Sequence, residues 1–566
     1  MGLYTMPTPK KLPPVLVRAA TAQVSSLNDL PTGPPAENPN TTAILICHGM
    51  GQQVPFETLN LVVDILRQPG APGEAPVVQH VHFVDPANPK QSRWLPRAEI
   101  SVTSADGRQQ RQVHVYEAYW APLTEGHISL LAVMRFLVTA GLRGLSPQLK
   151  HFTRWIFGRI QQYERPTSTP IGLLMTLIII ASLVVINTVL TLVVGSNALG
   201  ALQLGNQQKI SHMLLFQLTT DLWWLVVVAL IAGIPLVWSA FRREQALAAR
   251  PPRPLSSGLP DYLAWGGLGL LALTIVLVAA MMAGQYLWLW HGDAAHLANV
   301  WTLYPFPTSA ASRYAALAAE GVSWWVILPI WGMVLGASFW ARSFFVQYLG
   351  DVVIYIDSHK LDEFHEIRGQ IKRMALETAC TIYGARLPSP DGLAAAPFAY
   401  DQVVLVGHSL GSVITYDALN ATLNLDDTLG TKLRVAERTG SLITFGSPLD
   451  KTAFIFDSQH PDALVRVGLA ASVQPMIRHL MTRSAIHWVN IYSGNDVISG
   501  ALNFYELPAA VRHEAGETDD HQDVRVENLR DPQAVTPIQA HTQYWGNPLL
   551  AEQLRRAIFR RDALRS

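Results

Sequence analysis

A chain of 566 residues can hold several domains, and a hydrophobic share of 49% against 15% charged residues is more apolar than a soluble enzyme needs, so part of it is expected in lipid. The formal net charge is zero, which offers no large basic face for nucleic acid. Two cysteines, Cys47 and Cys380, exclude a disulfide framework and suit a reducing compartment.

Residues 1–40 open the chain with Pro, Thr, Asn and Ala and no sustained periodicity, which reads as a flexible tail reaching to about Thr42. It has no apolar core of a secretory signal, and Met6 stands where a myristoylation motif requires Ser or Thr, so neither export nor acylation is expected. Order is expected from Ala43. The run Ala43 to Cys47 (AILIC) is apolar in the manner of a buried strand, with Cys47 as an inert core thiol, and His48-Gly49-Met50-Gly51 follows at once. Taken alone, His48-Gly49 is equally a tight turn at a strand end. A helix is expected over Phe56 to Arg67, then strands near Val78 to Val84 and Gln112 to Tyr119. Ile128 to Leu142 is apolar but carries Arg135 at its middle and is too short to cross a bilayer, which predicts a core helix or one lying along a membrane surface.

Four long apolar segments come next: Ile171 to Gly195, Leu222 to Ala240, Tyr262 to Trp290 and Val322 to Ala341. Each meets the requirement of roughly 20 residues for crossing the hydrocarbon core, and none contains Asp, Glu, Lys or Arg. One such charge at mid-bilayer costs about 2.5–3.5 kcal/mol on the insertion scale, so four charge-free segments point to four spans. Arg154, Arg159 and Arg165 precede the first, Arg242, Arg243, Arg250 and Arg253 separate the second from the third, and Arg342 and Lys360 follow the fourth. The other two connections carry little positive charge, Lys209 and Arg313, which predicts cytoplasmic chain ends and a multi-pass protein of the cell's inner membrane. Asn187 and Gln285 read as inter-helix hydrogen-bonding groups, and the absence of intramembrane charge favours anchoring over ion transport.

Tyr348 to Tyr383 reads as helical, in one or two pieces. Its Asp351, Asp357, Asp362, Glu363 and His365 match a metal cluster only in composition and are read as a solvated, ion-paired helix face, with no metal or organic cofactor expected. A linker over Leu387 to Tyr400 leads into the most informative stretch, Val403 to Leu419 (VVLVGHSLGSVITYDAL). Four apolar residues, a turn at Gly407-His408-Ser409-Leu410-Gly411, and apolar residues at helical spacing make strand, sharp turn and helix. A serine there sits at the tip of a strained bend with glycines flanking it where two backbones come close. After it come the strand Ser441 to Phe445, ending near Asp450, and the alternating strand His487 to Tyr492, ending at Asp496. A further strand at Val524 to Asn528 leads to His541 and a helix over Pro548 to Leu564.

An apolar strand ending in His48-Gly49, followed far downstream by Gly407-His408-Ser409-Leu410-Gly411, resembles the α/β-hydrolase superfamily of lipases and esterases. The resemblance covers roughly residues 41–120 and 400–550 and implies a mixed, mostly parallel sheet with flanking helices. It implies Ser409 as nucleophile, the Leu410 amide with that of Gly49 or Met50 as oxyanion donors, and an acid and then a histidine in chain order. The superfamily's usual acid position favours Asp496, with Asp450 as the alternative, and its histidine position falls on His541 rather than on His460, His479, His487, His513 or His521.

The domain reading is therefore a tail at 1–40, a first hydrolase part at 41–150, a membrane domain of four helices at 151–350 inserted before the elbow strand, and a second hydrolase part at 351–566. The function expected from the resemblance is hydrolysis of carboxylic esters through an acyl-enzyme. Membrane lipids are the expected partners and lipid or phospholipid acyl esters the expected substrates. A thioesterase, a small-ester esterase, or an inactive receptor or scaffold built on the same domain are the alternatives.

Overall fold

The computed structural model describes residues 20–24, 40–51, 53–67, 76–84, 92–104, 106–145, 151–156, 159–164, 168–200, 206–249, 253, 255–291, 324–356, 362–387, 397–430, 432–452, 486–505 and 526–565. Its centre is a mixed, mostly parallel sheet. In chain order its strands are β1 (Ala20–Val24), β2 (Thr41–Cys47), β3 (Val77–Val84), β4 (Arg93–Thr103) and β5 (Gln110–Ala118). A separate hairpin, β6 (His151–Ile156) with β7 (Arg159–Glu164), precedes the long apolar helices. The sheet then resumes with β8 (Ala385–Arg386), β9 (Gln402–His408), β10 (Thr439–Phe445), β11 (His487–Tyr492) and β12 (Val526–Arg530). In space the order is β12-β11-β10-β9-β2-β5-β4-β3-β1-β8. From β12 to β5 every neighbour is parallel, whereas β4 runs antiparallel to both β5 and β3.

The parallel strands are buried on both faces, and alternate side chains serve two separate cores. Ala43, Leu45 and Cys47 of β2 face a core with helices Leu130–Gly144, Asp362–Gly384 and Leu410–Thr428. Ile44 and Ile46, with Val404 and Val406 of β9, face the other side against helices Glu57–Leu66 and Pro548–Arg565. The helix expected near Ile128 to Leu142 is thus a core helix through Val133, Phe136 and Leu137, and it also meets the first apolar helix, because a Cβ on Gly141 would lie 2.7 Å from the Leu174 side chain.

Three expectations are corrected. Part of the supposed tail is structured, since Ala20–Val24 pairs in parallel with Val81–Val84 and Thr41 already belongs to β2; backbone hydrogen bonds to an open sheet edge do this without any hydrophobic period. The strand β4 was hidden in sequence by Pro96 and its charged residues, although Ala98, Ile100 and Val102 alternate inward. Asp351 is not on a solvated face but only 7% exposed, and it accepts the Gly51 amide at 2.7 Å, while His365 is exposed and Asp357 lies outside the described residues. Among the described residues no group of His, Cys, Asp and Glu has the makings of a metal site.

Among the described residues three helices are long and apolar enough to cross a membrane, at Thr169–Leu192, Asp221–Ala248 and Leu259–Gly284. Much of their apolar surface faces outward, with Leu230, Ile234 and Val237 all exposed, so these residues have no protein core to enter. From Trp324 on, the fourth expected segment belongs to helix Trp324–Ile356, whose Trp331 and Val334 pack with Ile186, Leu190, Leu222, Val278 and Met282 in a cluster shared by all four helices; its first two residues lie outside the described ones.

The two separated stretches of sheet are joined by a buried ion pair. Arg111 of β5 donates to both carboxylate oxygens of Asp401 at 3.1 and 2.8 Å, and to the Thr42 hydroxyl at 2.8 Å, with both charged partners nearly inaccessible. Removing one partner strands the other charge, so Asp401→Ala is expected to destabilise the protein by about 3–5 kcal/mol, read by chemical denaturation of the intact chain in detergent.

Candidate active site

The turn after β9 is built by close approach. A Cβ on Gly407 would lie 2.5 Å from Ser412 Cα, and one on Gly411 would lie 2.2 Å from the carbonyl oxygens of both Cys47 and His48. Only glycine fits at either place, which is why helix Leu410–Thr428 can start against the end of β2. Between them Ser409 takes φ 54° and ψ −130°, a conformation that costs a non-glycine residue about 1–3 kcal/mol. Surrounding hydrogen bonds hold it there: its amide donates to Phe445 O at 3.0 Å, and its carbonyl accepts from the Ser412 amide at 3.0 Å and the Ser412 hydroxyl at 2.6 Å.

Three residues far apart in sequence meet at this turn. His541 Nε2 lies 2.8 Å from Ser409 Oγ, and its Nδ1 lies 2.9 Å from Asp496 Oδ2. The Asp496 carboxylate also accepts the Tyr544 hydroxyl at 2.9 Å and the Ile498 amide at 2.9 Å. An ionised carboxylate accepts and cannot donate, so Nδ1 carries the proton and Nε2 offers its lone pair to the serine hydroxyl. Burial pushes the Asp496 pKa up, but the His541 hydrogen bond and charge, with the Ile498 amide and Ser499 hydroxyl, hold it below the usual carboxylate range. Ser409 is fully buried and His541 is 8% exposed. Such a chain can take a proton from the hydroxyl as its oxygen attacks, and return it to a leaving group.

Asp450, the alternative acid, lies in the helical turn at 449–452 after β10, whereas His541 Nδ1 meets Asp496; its neighbour Lys451 donates to Ser499 O at 3.2 Å beside the acid loop. His487 pairs with Glu527 across β11 and β12 at 2.9 Å, and His460, His479, His513 and His521 lie outside the described residues. His408 does not enter the proton path. Its Nε2 donates to His541 O at 3.0 Å, its ring stacks on Phe445, and burial pushes its pKa down to about 3, so it holds the His541 turn as a neutral group.

The loop after β2 lies against the serine, since a Cβ on Gly49 would be 3.0 Å from Ser409 Cβ and 2.9 Å from His408 Nδ1. His48 Nε2 accepts the Trp120 amide at 3.1 Å, which leaves the proton on Nδ1 to be donated to Gly49 O at 2.8 Å. Burial lowers its pKa to about 4, and the Gly49 bond opposes this only in part, so it stays neutral near pH 7. Across a trans peptide the N–H points opposite to the C=O, so fixing Gly49 O also fixes the direction of the Met50 amide. Leu410, first residue of its helix, has an amide with no intrahelical acceptor.

Sequence reading missed several supports. Tyr544, three residues after His541 and fully buried, is a second donor to the acid, and its only mark in sequence is an aromatic residue with a polar tip at that spacing. Trp120 stacks on His48 with ring centroids 4.8 Å apart, and nothing in its flanking residues signals the contact. Arg243 looked like a loop charge that sets topology. It is instead 8% exposed and donates to Gln533 O at 3.0 Å, Gln543 O at 3.3 Å and Asn547 Oδ1 at 2.9 Å, bracketing the His541 turn. Compared with family models, with curated proteins and with solved structures, the chain shows no match, so its functional reading rests on this geometry.

A carboxylate whose folded pKa is depressed contributes stability that is fully present above its unfolded value of about 3.9 and is lost as pH falls below it. Asp496→Asn is therefore expected to lower the melting temperature at pH 7 and to flatten its decline below about pH 4. Melting curves of both proteins across pH 3–8 check this; parallel curves would show that Asp496 carries no such charge.

Proposed function

We propose that this protein is a membrane-embedded serine hydrolase that cleaves carboxylic esters through an acyl-enzyme. The observation that carries the reading is the continuous hydrogen-bonded chain Ser409–His541–Asp496 at 2.8 and 2.9 Å. In this reading Ser409 Oγ attacks the ester carbonyl while His541 Nε2 takes the hydroxyl proton, and Asp496 stabilises the imidazolium that forms. The Leu410 amide and that of Met50 or Gly49 accept the charge of the tetrahedral oxyanion, each donor being worth about 2.7–4 kcal/mol. His541 then protonates the departing alcohol, and water releases the acyl group by the same steps in reverse order of roles. The strand arrangement supports kinship with the α/β-hydrolases, since a parallel run carries the serine after β9, the acid after β11 and the histidine after β12.

Lipid or phospholipid acyl esters are the proposed substrates. Trp265, in an apolar helix, donates its indole N–H to Asn495 Oδ1 at 3.1 Å, immediately beside the acid, which sets the site one hydrogen bond from the candidate spans. Because β2 and β9 are neighbours in one sheet, the chain must leave and re-enter on one side of the bilayer, which requires an even number of crossings. Helix Trp324–Ile356 supplies a fourth beside the three. The distribution of positive charge among the loops supports a cytoplasmic side for the sheet and both chain ends.

The test is labelling of purified membranes with a fluorophosphonate, together with turnover of long-chain esters, short-chain esters and thioesters. Wild-type protein is expected to label and to prefer long-chain esters, and Ser409→Ala to lose labelling and about 10⁶-fold of kcat. Equal labelling of wild type and variant would reject Ser409 as nucleophile, and a preference for thioesters or short chains would reject lipid esters as substrate. A cysteine placed near Gln207 is expected to react with an impermeant thiol reagent from outside the cell; reaction near Arg250 instead would invert the topology.

A further inference from the structure

The helix Trp324–Ile356 begins in the apolar cluster of the membrane helices and ends against the sheet domain, and its last turns carry two polar side chains that reach inward. Asp351 accepts the Gly51 amide at 2.7 Å, and Tyr355, one turn further, donates its hydroxyl to Asp417 Oδ2 at 2.6 Å. Gly51 closes the loop that carries Met50, and Asp417 lies on the helix that begins with Leu410. One rigid helix therefore holds both of the elements that carry the oxyanion donors.

We infer that Asp351 is a positioning residue for the oxyanion hole, through which the last membrane helix sets the Met50 amide relative to that of Leu410. The inference rests on the hydrolase reading above. Two peptide units flank Met50. The first is held at Gly49 O by His48 and the second at Gly51 N–H by Asp351, so with both planes fixed the Met50 backbone has no free rotation left. Gly51 itself sits at φ 96°, where residues with side chains are strained, so the loop reaches Asp351 in a shape that only glycine takes readily. Burial is a cost for this carboxylate, whose pKa is pushed up to about 6 even though the Gly51 amide and Thr124 hydroxyl act against the shift. A group that weakens the fold at this place is explained by what it holds.

The test compares Asp351→Ala with Asp351→Asn. The asparagine keeps an acceptor oxygen at the same reach for the Gly51 amide, and its NH₂ can donate to Thr124 Oγ, so it is expected to retain kcat. Displacing an oxyanion donor by about 1 Å costs on the order of 100-fold, so Asp351→Ala is expected to lose about 10- to 100-fold in kcat and in the rate of fluorophosphonate labelling, with KM little changed. A merely structural role would instead lower thermal stability in both variants and leave kcat of the folded fraction intact. Equal kcat in Asp351→Ala and wild type, or equal losses in the two variants, overturns the inference. Should Asp351→Ala not accumulate, Asp351→Ser, too short to reach the amide, takes its place with the same expectations. Hydrogen exchange gives an arm that needs no turnover: the Gly51 amide is expected to be protected in wild type, and exchange at the rate of an open loop sinks the inference. Wild type that never labels at Ser409 sinks the hydrolase reading instead, and leaves the exchange result standing.

Discussion

The parallel pairing of β2 with β9 is the contact on which the rest of the molecule depends. Thr42 to Cys47 runs beside Gln402 to Gly407 in unbroken register, although the two strands belong to chain segments separated by all the apolar helices. Ending together, they deliver the His48-Gly49 loop and the Ser409 turn to the same edge of the sheet. A register slip of one residue would turn Val404 and Val406 towards the wrong core and part Gly49 from Ser409. The buried Arg111–Asp401 pair, bonded also to Thr42, ties the far ends of the same strands. Ion pairs buried this deeply stabilise little against an apolar alternative, but parting these two strands would leave both charges buried and unpaired.

Around the serine the charges are few and well held. Among the described residues Asp496 is the carboxylate bonded to His541, and it accepts from a histidine, a tyrosine and a backbone amide. The two further histidines nearby, His48 and His408, are neutral because burial disfavours their charged forms; His48 meets backbone groups through both ring nitrogens and His408 through Nε2. This leaves His541 as the imidazole that faces the serine hydroxyl. His48 and His408 instead hold the turns on either side of the serine.

The apolar helices belong to this arrangement and are more than a tether. Arg243 reaches from one of them to three acceptors around the His541 turn, Trp265 from a second to the residue beside the acid, and Asp351 with Tyr355 from a fourth to the loop and helix that flank the serine. Each contact is polar and buried or partly buried, so each is costly to leave unmade. A shift of these helices would be felt at the Ser409 and His541 turns through direct hydrogen bonds.

By itself the sequence determined what local pattern can determine. Charge-free runs marked the apolar helices, the doubly buried strands read as continuous apolar stretches, and the glycines around Ser409 marked a turn where backbones touch. It also offered Asp496 and Asp450 at strand ends, and the resemblance to the α/β-hydrolases implied His541 as the histidine that the structure brings beside Ser409. The rest needed three dimensions. Strand β4 was concealed by Pro96, and β1 by having no hydrophobic period at all, since its order comes from hydrogen bonds to β3. Arg243 and Asp351 were read as solvated charges because isolated charges usually are, and only packing revealed them as buried partners of backbone groups hundreds of residues away. Tyr544 and Trp120 are likewise known only by what they touch. Periodicity reports which face of an element is apolar, whereas a long-range hydrogen bond depends on where two elements come to rest, and no local pattern encodes that.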